Sequence, residues 1–247
     1  MRILIISGFP ESLIIFRLAL ARSLQASGFD VHMAGPDLPS GSHVRCQLES
    51  LGFTVHNIPL RRTGMSPTED IFTLIALIKL MRVIRPSYVL SYTIKPVIYG
   101  MLSAYLVRVP HRVSLITGLG YAFQDSEGAP LSFLRRGLRA LVRRLYQMSL
   151  KTAQIVFFQN PDDQALFLRQ GILPPATRSV VVNGSGVDIH QYSLSPIPAG
   201  RTGPATTFLL IARLLGDKGV REYVQAARRM KARYPETVLR LVGWLDA

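Results

Sequence analysis

At roughly 150 residues per domain, a chain of 247 residues is too long for a minimal module and short for two full nucleotide-binding halves. Apolar residues make up 48% and charged residues 18%, which is enough to bury a sizeable core and excludes a disordered chain. Lys and Arg (29) outnumber Asp and Glu (15) to leave +14, a balance that asks for an anionic partner: nucleic acid, anionic lipid or a phosphorylated substrate. The single cysteine, Cys46, excludes a disulfide framework, and no Cys/His cluster has zinc spacing. The apolar run after Arg2 stops at Ser7-Gly8, far short of a signal-peptide core or a membrane span, so the chain reads as cytosolic.

Short runs of aliphatic and β-branched residues recur at 3–6, 31–34, 53–58, 88–91, 113–116, 155–158 and 180–182. Each is apolar on both faces, as expected of strands in a parallel sheet covered by helices on both sides. Between them the helical period predicts helices at 12–27, 67–84, 96–107, 131–151 and 162–169, several closed by Gly or by a following Pro. The alternation predicts an α/β fold with an open parallel sheet. Composition changes after Gly184, and 193–204 is rich in Ser, Pro and Gly, which reads as a linker. A further strand at 207–211, a helix from about 218 to 234 and a strand at 238–242 then make a single βαβ unit. The domain reading is 1–183, a linker at 184–204, and a partial second domain at 205–247.

The turn from Ser7 through Gly8 to Ser12 joins the first strand to the first helix. Its backbone N–H groups can receive an anion or a sugar hydroxyl, or Ser12 can simply cap the helix. Lys95 follows the strand at 88–91, at the strand end where ligands of open α/β sheets bind, and it reads either as a phosphate-facing cation or as an ordinary surface lysine. Gly118-Leu119-Gly120 begins like a dinucleotide fingerprint, but Phe123 stands at the sixth position, which supports a hydride-transfer enzyme only weakly.

In the helix at 131–151, Leu134, Leu138, Leu141, Leu145 and Met148 form one stripe and are expected in the core. Arg135, Arg136, Arg139, Arg143 and Arg144 occupy other faces, either as a solvated surface or as a basic amphipathic face lying on anionic headgroups. Nucleic acid is disfavoured as partner, because few aromatics interleave with the basic residues and no recognition-helix or RNA-binding signature is present. Arg213 and Lys218 flank a strand end and a helix start beside Gly216 and Gly219, an arrangement that suits a diphosphate leaving group or, on the plainer reading, two surface cations in a loop.

SGFPESLIIFRLAL at Ser7, YTIKPVIYG at Tyr92, ITGLGYAF at Ile116, VFFQNPDD at Val156, NGSGVD at Asn183 and IARLLGDKGVREYVQAAR at Ile211 together resemble the retaining glycosyltransferases of family 4, with the GT-B fold. The likeness is greatest to bacterial polysaccharide and lipid-linked oligosaccharide enzymes that transfer N-acetylhexosamines. The resemblance implies two Rossmann-like domains facing a cleft, the first binding acceptor and the second a nucleotide-sugar, with no metal or other cofactor. Arg213 and Lys218 match the pair that holds the donor diphosphate and stabilises the departing nucleotide. By the same resemblance Gly8 falls in the loop near donor and acceptor, Lys95 in the acceptor-side basic motif, and Thr117 and Gly118 in a further substrate-binding loop. Asn183, Gly184, Gly186 and Asp188 match the inter-domain loop.

No histidine stands at Thr117-Gly118, where some relatives carry one, so no general base is assigned. The family's pair of glutamates seven residues apart is absent, and the second domain is expected to be incomplete. The resemblance therefore implies a UDP-sugar donor, an undecaprenyl-diphosphate-linked acceptor and a peripheral place on the inner face of the plasma membrane. A separate chain supplying the missing C-terminal half is a further implied partner. The alternative is a catalytically inactive fragment that binds only membrane or partner.

Overall fold

The computed structural model describes residues 1–61, 66–118, 133–190, 192–196 and 206–243, excluding the side chains of 133–135, 138, 139 and 217. The chain divides into two compact units, Met1–Tyr192 and Ser193–Ala247.

The first unit alternates strand and helix: β1 (Arg2–Ile6), α1 (Glu11–Ala26), β2 (Asp30–Gly35), α2 (His43–Ser50), β3 (Thr54–Asn57), α3 (Pro67–Ile84), β4 (Tyr88–Tyr92), α4 (Ile94–Leu106), β5 (His111–Ile116), α5 (Phe133–Thr152), β6 (Ile155–Phe158), α6 (Pro161–Arg169) and β7 (Arg178–Val181). All seven strands form one parallel sheet in the order β3-β2-β1-β4-β5-β6-β7, so β1 and β4 are neighbours and the order reverses between them. Ligands of such sheets bind outside the carboxyl ends of the strands at that reversal.

Both faces of the sheet are covered, which is why the central strands carry no polar alternation. On one face Leu4, Ile6 and Val89 pack with Leu77 and Met81 of α3, Val97 and Met101 of α4, and Tyr146 and Leu150 of α5. On the other, Ile5, Met33, Leu90 and Tyr92 pack with Leu13 and Ala21 of α1 and Leu48 of α2. Helix α2 escapes the periodicity because its apolar side amounts to Val44 and Leu48, too little pattern to distinguish from a loop. Helix α3 begins at Pro67 and ends at Arg85, which takes the left-handed conformation (φ 50°) just before Pro86.

One expectation for α5 is corrected. Leu141 and Met148 are about half exposed, and Leu145 is only partly buried. The buried stripe is Val142, Tyr146, Ser149 and Leu150, together with Ala153 just after the helix. Spacings of three and four occur on both stripes, and packing against α4 selects the one carrying the aromatic ring. Leu134 and Leu138 lie outside the described side chains.

The second unit comprises β8 (Thr207–Ile211), a 3₁₀ turn (Gly216–Lys218), α7 (Val220–Arg233) and β9 (Val238–Val242), with β8 and β9 paired in parallel. Helix α7 therefore starts two residues after Lys218, with Gly219 at φ 71° between turn and helix. No side chain of α7 is buried, and Leu209 and Ile211 of β8 are exposed.

Candidate functional site at the carboxyl edge of the first sheet

The carboxyl ends of β1 and β4 carry a closed set of hydroxyls. Ser7 Oγ and Ser12 Oγ are 2.8 Å apart, and Ser12 Oγ is 2.8 Å from the Tyr92 hydroxyl. The Phe9 carbonyl accepts from both serines, and Ser7 Oγ also accepts from the Phe9 N–H. These bonds fix the β1–α1 turn in place of a side-chain cap on α1. Burial raises the Tyr92 phenol above its usual pKa, partly offset by its hydrogen bonding with the serines and by Arg17.

Gly8 sits inside this turn because nothing larger fits: a Cβ there would lie 2.7 Å from Thr93 Oγ1. Thr93 itself is held at φ 68°, ψ 162°, a conformation a β-branched residue rarely adopts, and its buried hydroxyl has no partner. Strain of this kind costs on the order of 1–3 kcal/mol and persists only where the surroundings enforce it.

Lys95 is neither an exposed phosphate-facing cation nor an ordinary surface lysine. Its Nζ donates to Asp70 Oδ1 at 2.9 Å, and both side chains are about one-tenth exposed. The phenol of Tyr99, one turn along α4, is raised well above its usual pKa, first by burial and then by the Asp70 carboxylate. Asp70 was detectable in principle: it opens the stripe Asp70, Thr73, Leu77, Met81, Ile84 along the buried side of α3, and a carboxylate in a core stripe requires a partner.

Arg17 follows the same logic on α1, where the buried positions are Ser12, Leu13, Arg17 and Ala21. Its guanidinium stacks over the Tyr92 ring at 4.5 Å from the centroid. Its Nη1 donates to Ser185 Oγ and to the Phe16 carbonyl, both at 2.9 Å. Gln159 Nε2 donates to the same Ser185 Oγ at 2.9 Å. Burial pulls this guanidinium below its usual pKa, the interaction with Tyr92 opposing it. Ser185 lies between Gly184 (φ 72°) and Gly186 (φ 69°), so Arg17 and Gln159 anchor the segment containing Asn183 and Asp188 to α1 and to the end of β6. Asp188 Oδ1 accepts from the His190 N–H at 2.9 Å.

Thr117 and Gly118 follow β5, with Gly118 at φ 140°, while the rest of the glycine loop, from 119 onward, lies outside the described residues. On α5, Arg136 is exposed, Arg143 donates to the Gln170 carbonyl and Arg144 to Gln147, both at 2.8 Å. The side chains of Arg135 and Arg139 lie outside the described set. In the second unit Arg213 follows β8, half-buried, and Lys218 ends the 3₁₀ turn, exposed. Among the described residues no group of three or more His, Cys, Asp or Glu side chains is placed to hold a metal ion, and no helix is long and apolar enough to cross a membrane.

A family profile described as glycosyl transferase 4-like domain matches residues 16–184, most of the first unit. The chain belongs to this family. A relative from Campylobacter jejuni, N,N'-diacetylbacillosaminyl-diphospho-undecaprenol alpha-1,3-N-acetylgalactosaminyltransferase, is 22% identical over 240 residues, covering 94% of this chain and 61% of the relative. The fold is that of GT-B proteins. Anabaena HepE, solved with UDP and glucose, superposes with a TM-score of 0.62 at 16% identity, over 100% of this chain and 62% of that one. Sucrose-phosphate synthase from Thermosynechococcus elongatus does so at 0.61 and 13% identity, over 100% and 71%. The chain thus spans about three-fifths of the length of the Campylobacter relative.

Proposed function

We propose that this chain carries the acceptor-side domain of a retaining glycosyltransferase that moves an N-acetylhexosamine from a UDP-sugar to an undecaprenyl-diphosphate-linked acceptor. The observation that carries the reading is the family match over 16–184, which takes in six of the seven strands of the sheet whose carboxyl edge gathers Ser7, Gly8, Ser12, Tyr92 and Thr93. The Campylobacter relative acts on a diphospho-undecaprenol substrate, which supports the acceptor class.

In this reading Arg213 and Lys218 hold the donor diphosphate and stabilise the charge that develops as UDP departs, without a metal ion. Gly8, Thr117 and Gly118 bind the reacting sugars through their backbone groups, Gly118 with open space where a Cβ would stand. Lys95 acts through its pair with Asp70, which holds the first turn of α4 against α3 beneath the acceptor loops. The exposed arginines of α5, interleaved with Leu141 and Met148, hold the protein to anionic headgroups on the inner membrane face, where the acceptor lipid resides.

The test is transfer of labelled sugar from UDP-N-acetylhexosamine to a short-chain polyprenyl-diphosphate saccharide, by this chain and by a version extended through a complete donor domain. Turnover by the extended version supports the reading, and none by either overturns it. A second reading, an inactive piece that binds only membrane or partner, is favoured by one observation: α7 buries no side chain, so the donor-side unit has little core of its own. Vesicle binding without turnover by the extended version decides for that second reading.

A further inference from the structure

Where the chain enters β4, β5, β6 and β7, the amino edge of the first sheet is basic and unopposed. No Asp or Glu stands from 82 to 112 or from 164 to 187. Arg85, Arg108, Lys151 and Arg178, each just ahead of a strand or at its start, are exposed, and among the described residues none of them meets a carboxylate. Strands β4 and β5 are neighbours, with the His111 N–H donating to the Ser87 carbonyl at 3.0 Å, so the segments carrying Arg85 and Arg108 run side by side. Arg112 is the contrast: half-buried, it donates to the Thr152 and Val109 carbonyls at 2.7 and 2.6 Å and serves the fold.

Arg85 and Arg108 hold their places against backbone strain. Arg85 (φ 50°) ends α3 and Arg108 (φ 58°) follows α4, both left-handed, where glycine is the unstrained choice. A helix dipole favours a cation in the last turn, and Arg82 already supplies one on α3. The dipole gives no reason for an arginine at the left-handed position itself. Two residues before each stands an exposed apolar side chain, Val83 at 80% and Leu106 at 59%. Apolar group and cation thus repeat together on adjacent loops.

Such a surface takes a partner that brings carboxylates and apolar groups together, since guanidinium forks pair carboxylates bidentately. Nucleic acid fits less well, because the rings on this edge are turned on one another. Tyr88 and His111 stack with centroids 4.2 Å apart, and Phe29 meets Tyr88 edge-on at 5.5 Å, leaving no row of open faces for bases. A membrane fits less well by position. Strand β4 carries the chain roughly 13 Å from Tyr88 to Tyr92, so a lipid acceptor met at the carboxyl edge lies at the far end of the sheet. That last point rests on the glycosyltransferase reading.

We infer that the amino edge of the first sheet docks an acidic segment of a partner protein, its carboxylates held by Arg85 and Arg108 with Lys151 and Arg178 beyond, its apolar groups by Val83 and Leu106. The probe is a fluorescein-labelled peptide of Glu-Glu-Leu repeats, titrated into the 247-residue chain by fluorescence anisotropy. Saturable binding that weakens with salt is expected.

Arg85→Gly combined with Arg108→Gly should weaken binding about tenfold or more, while the thermal unfolding midpoint stays or rises because glycine relieves both left-handed positions. Arg22→Gln combined with Arg221→Gln removes the same charge from exposed positions elsewhere and should leave binding within about twofold. A fall in the unfolding midpoint of the glycine pair would assign the two arginines to the fold and overturn the inference. So would equal weakening in both pairs, the absence of saturable binding, or tighter binding of oligothymidylate or anionic vesicles through Arg85 and Arg108. Peptide binding without sugar transfer by the extended version removes the proposed function and leaves this surface, and transfer with no peptide binding does the reverse.

Discussion

Lys95 Nζ and Asp70 Oδ1 meet at 2.9 Å with both side chains about one-tenth exposed, tying the first turn of α4 to the first turn of α3. Removing one partner strands the other charge where water cannot solvate it, a loss on the order of 3 kcal/mol. Asp70→Ala and Lys95→Met should each lower urea-unfolding stability by that order, while the double replacement Asp70→Leu/Lys95→Met should recover most of it. Additive losses in the double variant would show that the pair is not the coupled unit the geometry describes.

The Thr93 side chain leaves no room for a Cβ at position 8, the obstacle being its Oγ1. Gly8→Ala should cost about 1–2 kcal/mol from overpacking. Thr93→Gly removes both the obstacle and the strain at φ 68°, so the pair of substitutions should be less destabilising than Gly8→Ala alone. A thermal-denaturation cycle with no coupling between the two positions would contradict the contact.

His32 and His56 stack across β2 and β3 with Nδ1 and Nε2 2.9 Å apart. Burial, then the proximity of His32 and Arg45, pushes the His56 imidazole down to about 4 from 6.5. His56 is thus a base that charges less readily folded than unfolded, so the unfolded chain takes up the extra proton as pH falls below about 6.5. Stability should be fully present above that pH and decline toward pH 4, by about 1–2 kcal/mol once partial solvent screening is allowed for. Chemical denaturation of His56→Gln across this window should show a flatter pH profile than the parent. An equally steep profile would assign the dependence to other groups.

Lys218→Ala in a version with a complete donor domain should reduce turnover about 100-fold or more, the usual scale for losing a preorganised charge at a developing anion. Steady-state kinetics checks this, with Arg213→Ala expected to follow. A chelator should leave the rate of the parent unchanged. Undiminished turnover in Lys218→Ala would remove it from the mechanism.

Flotation with anionic vesicles should show binding that weakens at high salt, and little binding to neutral vesicles. Replacing Arg135, Arg139 and Arg143 with Gln should weaken it without changing the circular dichroism spectrum, because the buried stripe of α5 is untouched. Equal binding to neutral lipid would exclude the electrostatic component.

What the sequence determined was the order of elements and the class of sheet, because burial on both faces writes itself locally as short, unbroken apolar runs. Strand 155–158 and helix 67–84 are legible for that reason, and the glycines and serines of the β1–α1 turn marked a loop at a strand end. Tertiary structure decided which neighbours those residues meet. Only packing brings Asp70, 25 residues from Lys95, to its ammonium, and sets Arg17, 168 residues from Ser185, beneath the segment that leaves the sheet. Spacing along α5 offered two stripes, and contact with α4 and α6 chose Val142 and Tyr146 over Leu141 and Met148. Local periodicity records that a residue is turned inward. The partner that satisfies a buried charge or hydroxyl comes from a distant element, and its position is fixed only when the sheet assembles.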